Sequence, residues 1–477
     1  MRSPLVSVVI PAYNQAEFLA RTVQSVLDQT YQNFEIIVVN DASPDNTGDV
    51  MSQFTDRRIK YIVHEKNLYL PATRNTGIHA SQGEIIALLD ADDLFHPEKL
   101  EEHVKFLNEH PEVGVSYNAR YEMNHSADTI RELWRPPLTL NIVDLMLGFP
   151  FSPSDTVVRR EWAFKVGLFN PEMGSAEDTD FPCRLALAGC QFAGIDRALN
   201  YRRHHSGRAR KNLEMRLNDV ERTLNAVLAD PRCPEEIKAV GDKAIKHHMM
   251  VIISLALMQN ETEVARKYLP KLVALDPEVV KGNPCELVEF LLFELIADDS
   301  VDHESILKSM FMQMPHDFKY LLRQYDWAVK RGYLWKGIRA VIWDRVEDGS
   351  RFMKRAVELQ ATMDDSLTQL TTHHLIGYEH EHGLNATLKV LANLRQFLNQ
   401  FTPRSGDKFE GSYLVNRAFQ NYREGDNKHV LRNVLQAWKY DKSYMFNRGV
   451  ISIFLRSMVS SPIITRLLSN GYSKKLS

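Results

Sequence analysis

Four cysteines in 477 residues, none in a CxxC spacing, leave little from which to build a disulfide framework or a zinc site. Cys183, Cys190, Cys233 and Cys285 read instead as buried thiols in a reducing compartment. Long hydrophobic runs are also missing. The longest apolar stretches, Met249 to Met258 and Val450 to Leu455, fall short of the ~20 residues that cross a bilayer and read as buried helix. The first residues, Met-Arg-Ser-Pro, lead into a short apolar run with no h-region or small-residue cleavage site, so a cytoplasmic location is expected. Charge of one sign is lacking too. With 58 basic against 61 acidic residues and a net charge of -3, the chain has no overall basic field, which argues against a nucleic-acid partner. One feature points toward a membrane surface: Ile463, Ile464, Leu467 and Leu468, followed by Lys474 and Lys475, fit peripheral attachment at the inner face of the membrane.

What the chain does have is apolar material, 44% of its residues, enough for two or three domains. From Leu5 to about His204, short β-branched runs alternate with amphipathic helical runs, the pattern of a layered α/β domain with a mostly parallel mixed sheet. Leu5 to Ile10, Glu35 to Val39, Lys60 to Val63 and Ile85 to Leu89 are the strand candidates. Leu19, Val23, Val26 and Leu27 share one face of a helix between the first two. Pro97 is placed to open another helix that stops at His110-Pro111. Beyond Ser206 the β-rich runs cease, and the sequence predicts an all-α remainder, with domains over residues 1–210 and 211–477. Ala418, Tyr422, Gly425, Val430, Val434, Ala437 and Asp441 follow a helix-turn-helix plan resembling a tetratricopeptide unit, and Met249 to Pro277 is a looser version. A solenoid-like array and an irregular bundle both fit, and either would offer a surface for protein partners.

In an open parallel sheet, ligands bind beyond the carboxyl ends of the strands, and here those ends are polar. They read Pro11-Ala12-Tyr13-Asn14, Asn40-Asp41-Ala42-Ser43-Pro44-Asp45 and Asp90-Ala91-Asp92-Asp93. The first turn has no glycine, which excludes a dinucleotide fingerprint and a phosphate-cradling loop. Three aspartates within four residues repel one another unless cations or strong donors neutralise them. Mg²⁺ or Mn²⁺ does so while keeping positions open for phosphate oxygens. Capping of the helix ahead of Pro97 would use Asp92 and Asp93 equally well.

Val8-Val9-Ile10-Pro11-Ala12-Tyr13-Asn14, Val39-Asn40-Asp41-Ala42-Ser43, Ala72-Thr73-Arg74-Asn75-Thr76-Gly77 and Leu89-Asp90-Ala91-Asp92-Asp93, in this order, resemble family 2 glycosyltransferases of the GT-A fold. The resemblance covers roughly residues 4–206. It implies an inverting, metal-dependent hexosyltransferase-type enzyme using a nucleotide-sugar donor, UDP-sugar by default. It places the donor on Pro11, Ala12, Tyr13, Asn14, Asp41, Arg74, Asp90, Ala91 and Asp92, with Asp41 on the base, Arg74 ordering the pocket and Asp92 reaching the metal and diphosphate. Glu177-Asp178-Thr179-Asp180 resembles the family's ED motif, which makes Asp178 the first candidate for the general base and Glu177 its rival. A carboxylate that takes the acceptor proton contributes typically 10²- to 10⁴-fold. In Tyr201-Arg202-Arg203-His204-His205-Ser206, His204 matches a histidine that closes over the diphosphate and ligates the metal, with His205 the alternative.

Arg202, Arg203, Arg208, Arg210 and Lys211 supply charge for diphosphate or a phosphorylated lipid acceptor, and Arg208, Arg210 and Lys211 fit a solvated basic linker between the domains equally well. Asn40-Asp41-Ala42 stands where the family commonly has Asp-Asp-Gly, and Thr179 where it commonly has a bulky aromatic. No Gln-x-x-Arg-Trp element in a membrane-spanning context is present, which argues against a processive synthase. The expected acceptor is a saccharide, a lipid-linked sugar or a protein, in cell-surface polysaccharide or glycoconjugate synthesis. A catalytically inactive nucleotide-sugar-binding or scaffold protein acting through its helical part is the alternative, and the retained Asp41, Asp92 and Asp178 argue against it. A sugar-phosphate nucleotidyltransferase would need a Gly- and Arg-rich loop after the first strand, which is absent.

Overall fold

The computed structural model describes residues 3–459 except 149, 150, 205–211, 239, 298, 300, 401, 402 and 424, and leaves the side chains of 236 and 459 undescribed. Two compact units divide the chain, Met1–Ala328 and Val329–Ser477.

The first unit is organised on a ten-stranded sheet in the order β3-β2-β1-β4-β9-β6-β10-β5, with β7 beside β6 and β8 beside β10. The strands are β1 (Val6–Ala12), β2 (Phe34–Asn40), β3 (Ile59–Val63), β4 (Ile85–Leu88), β5 (Leu94–Phe95), β6 (Val113–Met123), β7 (Ile130–Trp134), β8 (Thr139–Leu140), β9 (Thr156–Arg159) and β10 (Gln191–Arg203). Parallel pairing joins β3, β2, β1 and β4, and β9 runs antiparallel between β4 and β6. Since β10 is parallel to β6, the strands β1, β2, β3, β4, β6 and β10 all point the same way. The sheet is therefore mixed but mostly parallel, and the four strands expected from sequence are all in it.

Both faces of the sheet are covered, which is why β1, β2 and β4 read as nearly continuous apolar runs. Along β1, Val6, Val8 and Ile10 enter one core and Val9 the other. On the first face lie α1 (Ala16–Leu27), α2 (Thr47–Ser52) and α4 (Lys99–Glu109), contributing Leu19, Val23, Val26, Leu100 and Val104. The expected start of α4 at Pro97 is corrected: the helix begins at Lys99, because the carbonyls of His96 and Pro97 are engaged by the Lys99 and Thr30 N–H groups in a turn outside it. On the second face, α3 (Tyr69–Ala80) crosses β1 and β2 so closely that a Cβ on Gly77 would lie 2.3 Å from Val9. After α5 (Ile142–Leu147) and α6 (Arg160–Lys165), α7 (Glu177–Leu187) adds Phe181 and Leu185 to the same core.

That core is closed by helices following the last strand. Val220, Leu224 and Val227 of Leu213–Ala229 and Ala244 of Gly241–Met258 belong to it, so the compact unit around the sheet extends to Ala328. Past Arg203 only helices and short 3₁₀ turns form regular elements, apart from one isolated bridge, among the described residues. Gly241–Met258 pairs with Thr262–Leu275, the pair read loosely from Met249 to Pro277. In the second unit, Ser405–Arg423 and Asn427–Tyr440 pair across a turn at Gly425 (φ 78°), burying Ala418, Val430, Val434 and Ala437. All four cysteines are buried free thiols, and burial pushes Cys183 and Cys190 up to about 12. No helix among the described residues is long and apolar enough to cross a membrane, and Ile463 to Lys475 lie outside them.

Candidate active site

The first two strand ends are locked to each other. The Asp41 N–H donates to the Ala12 carbonyl (2.9 Å), and the Asn14 N–H donates to Ser43 Oγ (3.1 Å). Asp45 Oδ2 accepts the Ala16 N–H at 2.9 Å and so holds the start of α1. Pro11 and Ala12 are buried, whereas Tyr13 is 46% exposed. Asn14 and Ala42 take left-handed backbone at φ 56° and 54°, a region costly for a side chain with a Cβ. The buried Asp41 carboxylate pairs through Oδ1 with His64 Nδ1 at 2.7 Å and accepts the Leu68 N–H at 2.8 Å. His64 Nε2 lies 2.9 Å from Thr76 Oγ1, so the segment after β3 is anchored to Asp41 and to α3.

Beyond β4, ligand oxygens of Asp90, Asp92 and Asp93 lie within 4.8 Å of one another. Thr22 Oγ1 sits 2.8 and 2.9 Å from the carbonyls of Ala91 and Asp93 and fixes the turn. Both Asp93 oxygens serve the fold, since Ser154 Oγ donates to Oδ2 at 2.7 Å and the Arg203 N–H to Oδ1 at 3.0 Å. Arg203 Nε donates to the Asp92 carbonyl at 2.8 Å, so this buried guanidinium braces the turn from behind. Helix capping is not what the triplet does, because α4 starts at Lys99, well past it. Three carboxylates on a tightly held turn are a donor set that suits a hard divalent cation.

Arg74 joins this edge to α7. It is 2% exposed, and its guanidinium donates from Nη2 to Asp90 Oδ1 (2.8 Å) and from Nη1 to Glu177 Oε1 (2.7 Å). Burial raises the Glu177 carboxyl above its ordinary range, helped by the neighbouring Asp178 charge and opposed by Arg74. Asp178 keeps Oδ1 buried without a hydrogen-bond partner, at a small apolar recess lined by Leu88, Phe151, Phe169, Phe181 and Phe192. The acidic residues here do not cap α7, which is preceded by Ala176 and has no side-chain cap. Asp180 instead pairs with Arg184 at 2.6 Å. Pro182 lies inside the helix, beyond its first turn, where it has no N–H to give to the Asp178 carbonyl.

His204 stands apart from the triplet's ligand group. Its Nε2 lies 2.7 Å from Glu122 Oε2. Burial alone would raise Glu122, but Arg120, Arg202 and His204 hold it well below the usual range. From Glu122 a buried chain of hydrogen bonds runs through Arg120 (2.7 Å), Asp155 (2.8 Å), Asn200 (2.8 Å) and Asn118 (2.6 Å). Asn118 Oδ1 ends it, facing Lys99 Nζ at 2.5 Å and His103 Nε2 at 2.9 Å. Burial drives His103 well below its ordinary value and pulls Lys99 down to about 7, the latter against the attraction of Asp155. Arg202 reaches within 3.8 Å of Glu122, while His205, Arg208, Arg210 and Lys211 lie outside the described residues.

The sequence reading missed Ser154, His64, Glu122 and the double engagement of Arg74. Each partner lies 12 or more residues from the group it holds apart from Arg120 beside Glu122, so no local spacing could announce it. A mostly parallel α/β sheet with a carboxylate triplet and a second acidic pair at its edge defines a domain of the GT-A class. Residues 7–166 match the family model Glycosyl transferase family 2, and the chain carries a glycosyltransferase domain of that family. It is 31% identical over 213 residues to an uncharacterized glycosyltransferase of Haemophilus influenzae, covering 42% of this chain and 66% of that protein. Over 108 residues it is 40% identical to a putative teichuronic acid biosynthesis glycosyltransferase, TuaG, of Bacillus subtilis, covering 22% and 43%. The chain spans just under two thirds of the first of these and about a third of an uncharacterized glycosyltransferase of Rickettsia conorii. Among solved structures, S. aureus TarS 1-349 in complex with UDP-GlcNAc aligns at a TM-score of 0.44 with 17% identity, over 73% of this chain and 89% of that one.

Proposed function

We propose that the chain is an inverting, metal-dependent glycosyltransferase that moves a sugar from a nucleotide-sugar donor, a UDP-sugar by default, to a saccharide, lipid-linked or protein acceptor. The observation that carries this reading is Arg74, which ties the aspartate triplet to the Glu177-Asp178 pair through two short ion pairs. Leaving-group charge and acceptor deprotonation must be handled on opposite sides of one sugar carbon, and a rigid buried link sets the spacing between them. A bound Mn²⁺ or Mg²⁺, held by Asp92 with Asp90 in support, would stabilise negative charge on the departing diphosphate. Asp41 accepts N–H groups of the base, and His204, oriented by Glu122, closes from the β10 side. Asp178 is the general base, because Glu177 is committed to Arg74 while Asp178 Oδ1 has no partner. The acceptor hydroxyl gives its proton to that carboxylate as it attacks, and a single displacement inverts the anomeric centre.

In this reading residues 1–210 form the catalytic domain and residues 211–477 a helical part that recruits partners in cell-surface polysaccharide or glycoconjugate synthesis. The test is hydrolysis and transfer with UDP-, GDP- and dTDP-sugars, with and without Mn²⁺. Asp178→Asn is expected to lower transfer by about 10²- to 10⁴-fold with donor binding nearly intact. Near wild-type transfer by that variant would move the role to Glu177. No turnover of any donor, together with no effect of Asp92→Ala on nucleotide binding, would remove the enzyme reading altogether.

A further inference from the structure

We infer that Tyr69 forms one wall of the slot that holds the nucleobase of the donor, opposite Tyr13, with Asp41 at its floor. The inference rests on the nucleotide-sugar reading above and adds to it a residue that none of the strand-end motifs contains. In the sheet, β2 lies between β1 and β3. Asp41 follows β2, Tyr13 follows β1, and the segment leading to Tyr69 follows β3, so the two tyrosines stand on the turns either side of the carboxylate. The Leu68 N–H donates to Asp41 Oδ1 at 2.8 Å, which places Tyr69 one residue from a group that touches the carboxylate itself.

Two features of Tyr69 are unexplained by the fold. The residue is 69% exposed, the most exposed large apolar residue among the described residues of the first unit. Its backbone is left-handed at φ 67°, where a bulky residue is strained and glycine is not. That conformation is held by the Asn67 side chain, whose Oδ1 accepts the Tyr69 N–H at 2.9 Å, and by Thr73 Oγ1 donating to the Tyr69 carbonyl at 2.8 Å. A strained aromatic that buries little surface contributes nothing evident to stability; strain of this kind collects at ligand clamps. A planar base presenting N–H groups at its edge has the shape and chemistry for this slot. The edge meets the Asp41 carboxylate, and the faces meet aromatic rings, a contact that tolerates any base.

The test is titration calorimetry on the full chain with Mn²⁺, using UDP, GDP and dTDP in turn and inorganic pyrophosphate as the probe without a base. For the nucleotide that binds, Tyr69→Ala is expected to weaken affinity by about tenfold, or ~1.4 kcal/mol, within the range of one base stack. Tyr69→Phe should bind like the wild type, and pyrophosphate affinity should be the same in all variants. Tyr69→Gly should lose nucleotide affinity as the alanine variant does yet melt at or above the wild-type temperature, since the strain is gone. Equal nucleotide affinity in Tyr69→Ala, a parallel loss of pyrophosphate binding, or a Tyr69→Gly protein that melts below the wild type would each overturn the inference. A wild-type chain that binds none of the three nucleotides would instead overturn the nucleotide-sugar reading on which it stands.

Discussion

Removing the Arg74 guanidinium while keeping its bulk, as in Arg74→Met, separates its charge from its packing. The wild-type side chain makes ion pairs of 2.8 Å to Asp90 and 2.7 Å to Glu177 from a position closed to solvent. Asp90 is part-exposed and can recover water, so its share of the loss is small. Glu177 cannot, because its carboxyl is buried and already raised by that burial and by Asp178. Breaking a buried pair from one side typically costs 3–5 kcal/mol, most of it the burial of the abandoned charge. For the unit Met1–Ala328, at about 2.1 cal/mol/K of unfolding entropy per residue, that corresponds to a fall in Tm of roughly 4–7 °C, read by circular dichroism or scanning fluorimetry.

The sign with pH follows from the same residue. A carboxyl whose folded value is raised contributes stability that is present below its unfolded value and lost as pH rises through the folded one. Arg74 opposes that rise, so the variant should lose more stability than the wild type as pH climbs above the ordinary glutamate range. Adding Glu177→Gln removes the orphaned charge and should restore at least ~2 kcal/mol, a coupling characteristic of direct contact. A single variant that costs under ~1 kcal/mol, or a double variant no better than the sum of its parts, would refute the argument that the penalty lies in Glu177.

Two further outcomes follow from buried or strained groups. Lys99 is pulled down to about 7, so from pH 7 to 10 the folded chain binds fewer protons at this site than the unfolded one. Stability should therefore rise with pH over that range by up to ~1.4 kcal/mol per unit, and urea titrations of Lys99→Met should lack this slope; an unchanged slope would place the proton elsewhere. Ala42→Gly relieves the left-handed backbone at φ 54° and is expected to stabilise by about 0.5–1 kcal/mol after the entropy of the more flexible unfolded chain is subtracted. Denaturant midpoints that fall in the glycine variant would mean the alanine methyl packs.

What was legible in the sequence and what was not divides along a physical line. Strands β1, β2 and β4 could be read because their apolar runs sit inside a sheet covered on both faces, whereas the edge strand β3 showed itself only through its short β-branched run. The strand-end aspartates could be read because a parallel sheet delivers its turns to one edge, and each turn is local in sequence. Strands β6 and β10 were hidden because they bury Asn118, Arg120, Glu122 and Asn200, and buried polar residues look like loop until their partners are known. Those partners include Asp155, which lies 35 residues from Arg120 and 45 from Asn200 and satisfies both at once.

The same rule governs the site. Asp90 and Glu177 each carry a sequence signal, but the 103 residues between Arg74 and Glu177 conceal that one guanidinium serves both. A buried network of this kind constrains geometry through partners far apart in the chain without imposing any local pattern. Asp178 is the informative exception: among carboxylates paired with Arg74 and Arg184 or hydrogen-bonded by Ser154 Oγ and the Arg203 N–H, it retains a buried Oδ1 with no hydrogen-bond partner. An unpartnered buried acceptor is costly, and in the function proposed above that cost would be offset when Asp178 takes the proton of the acceptor hydroxyl.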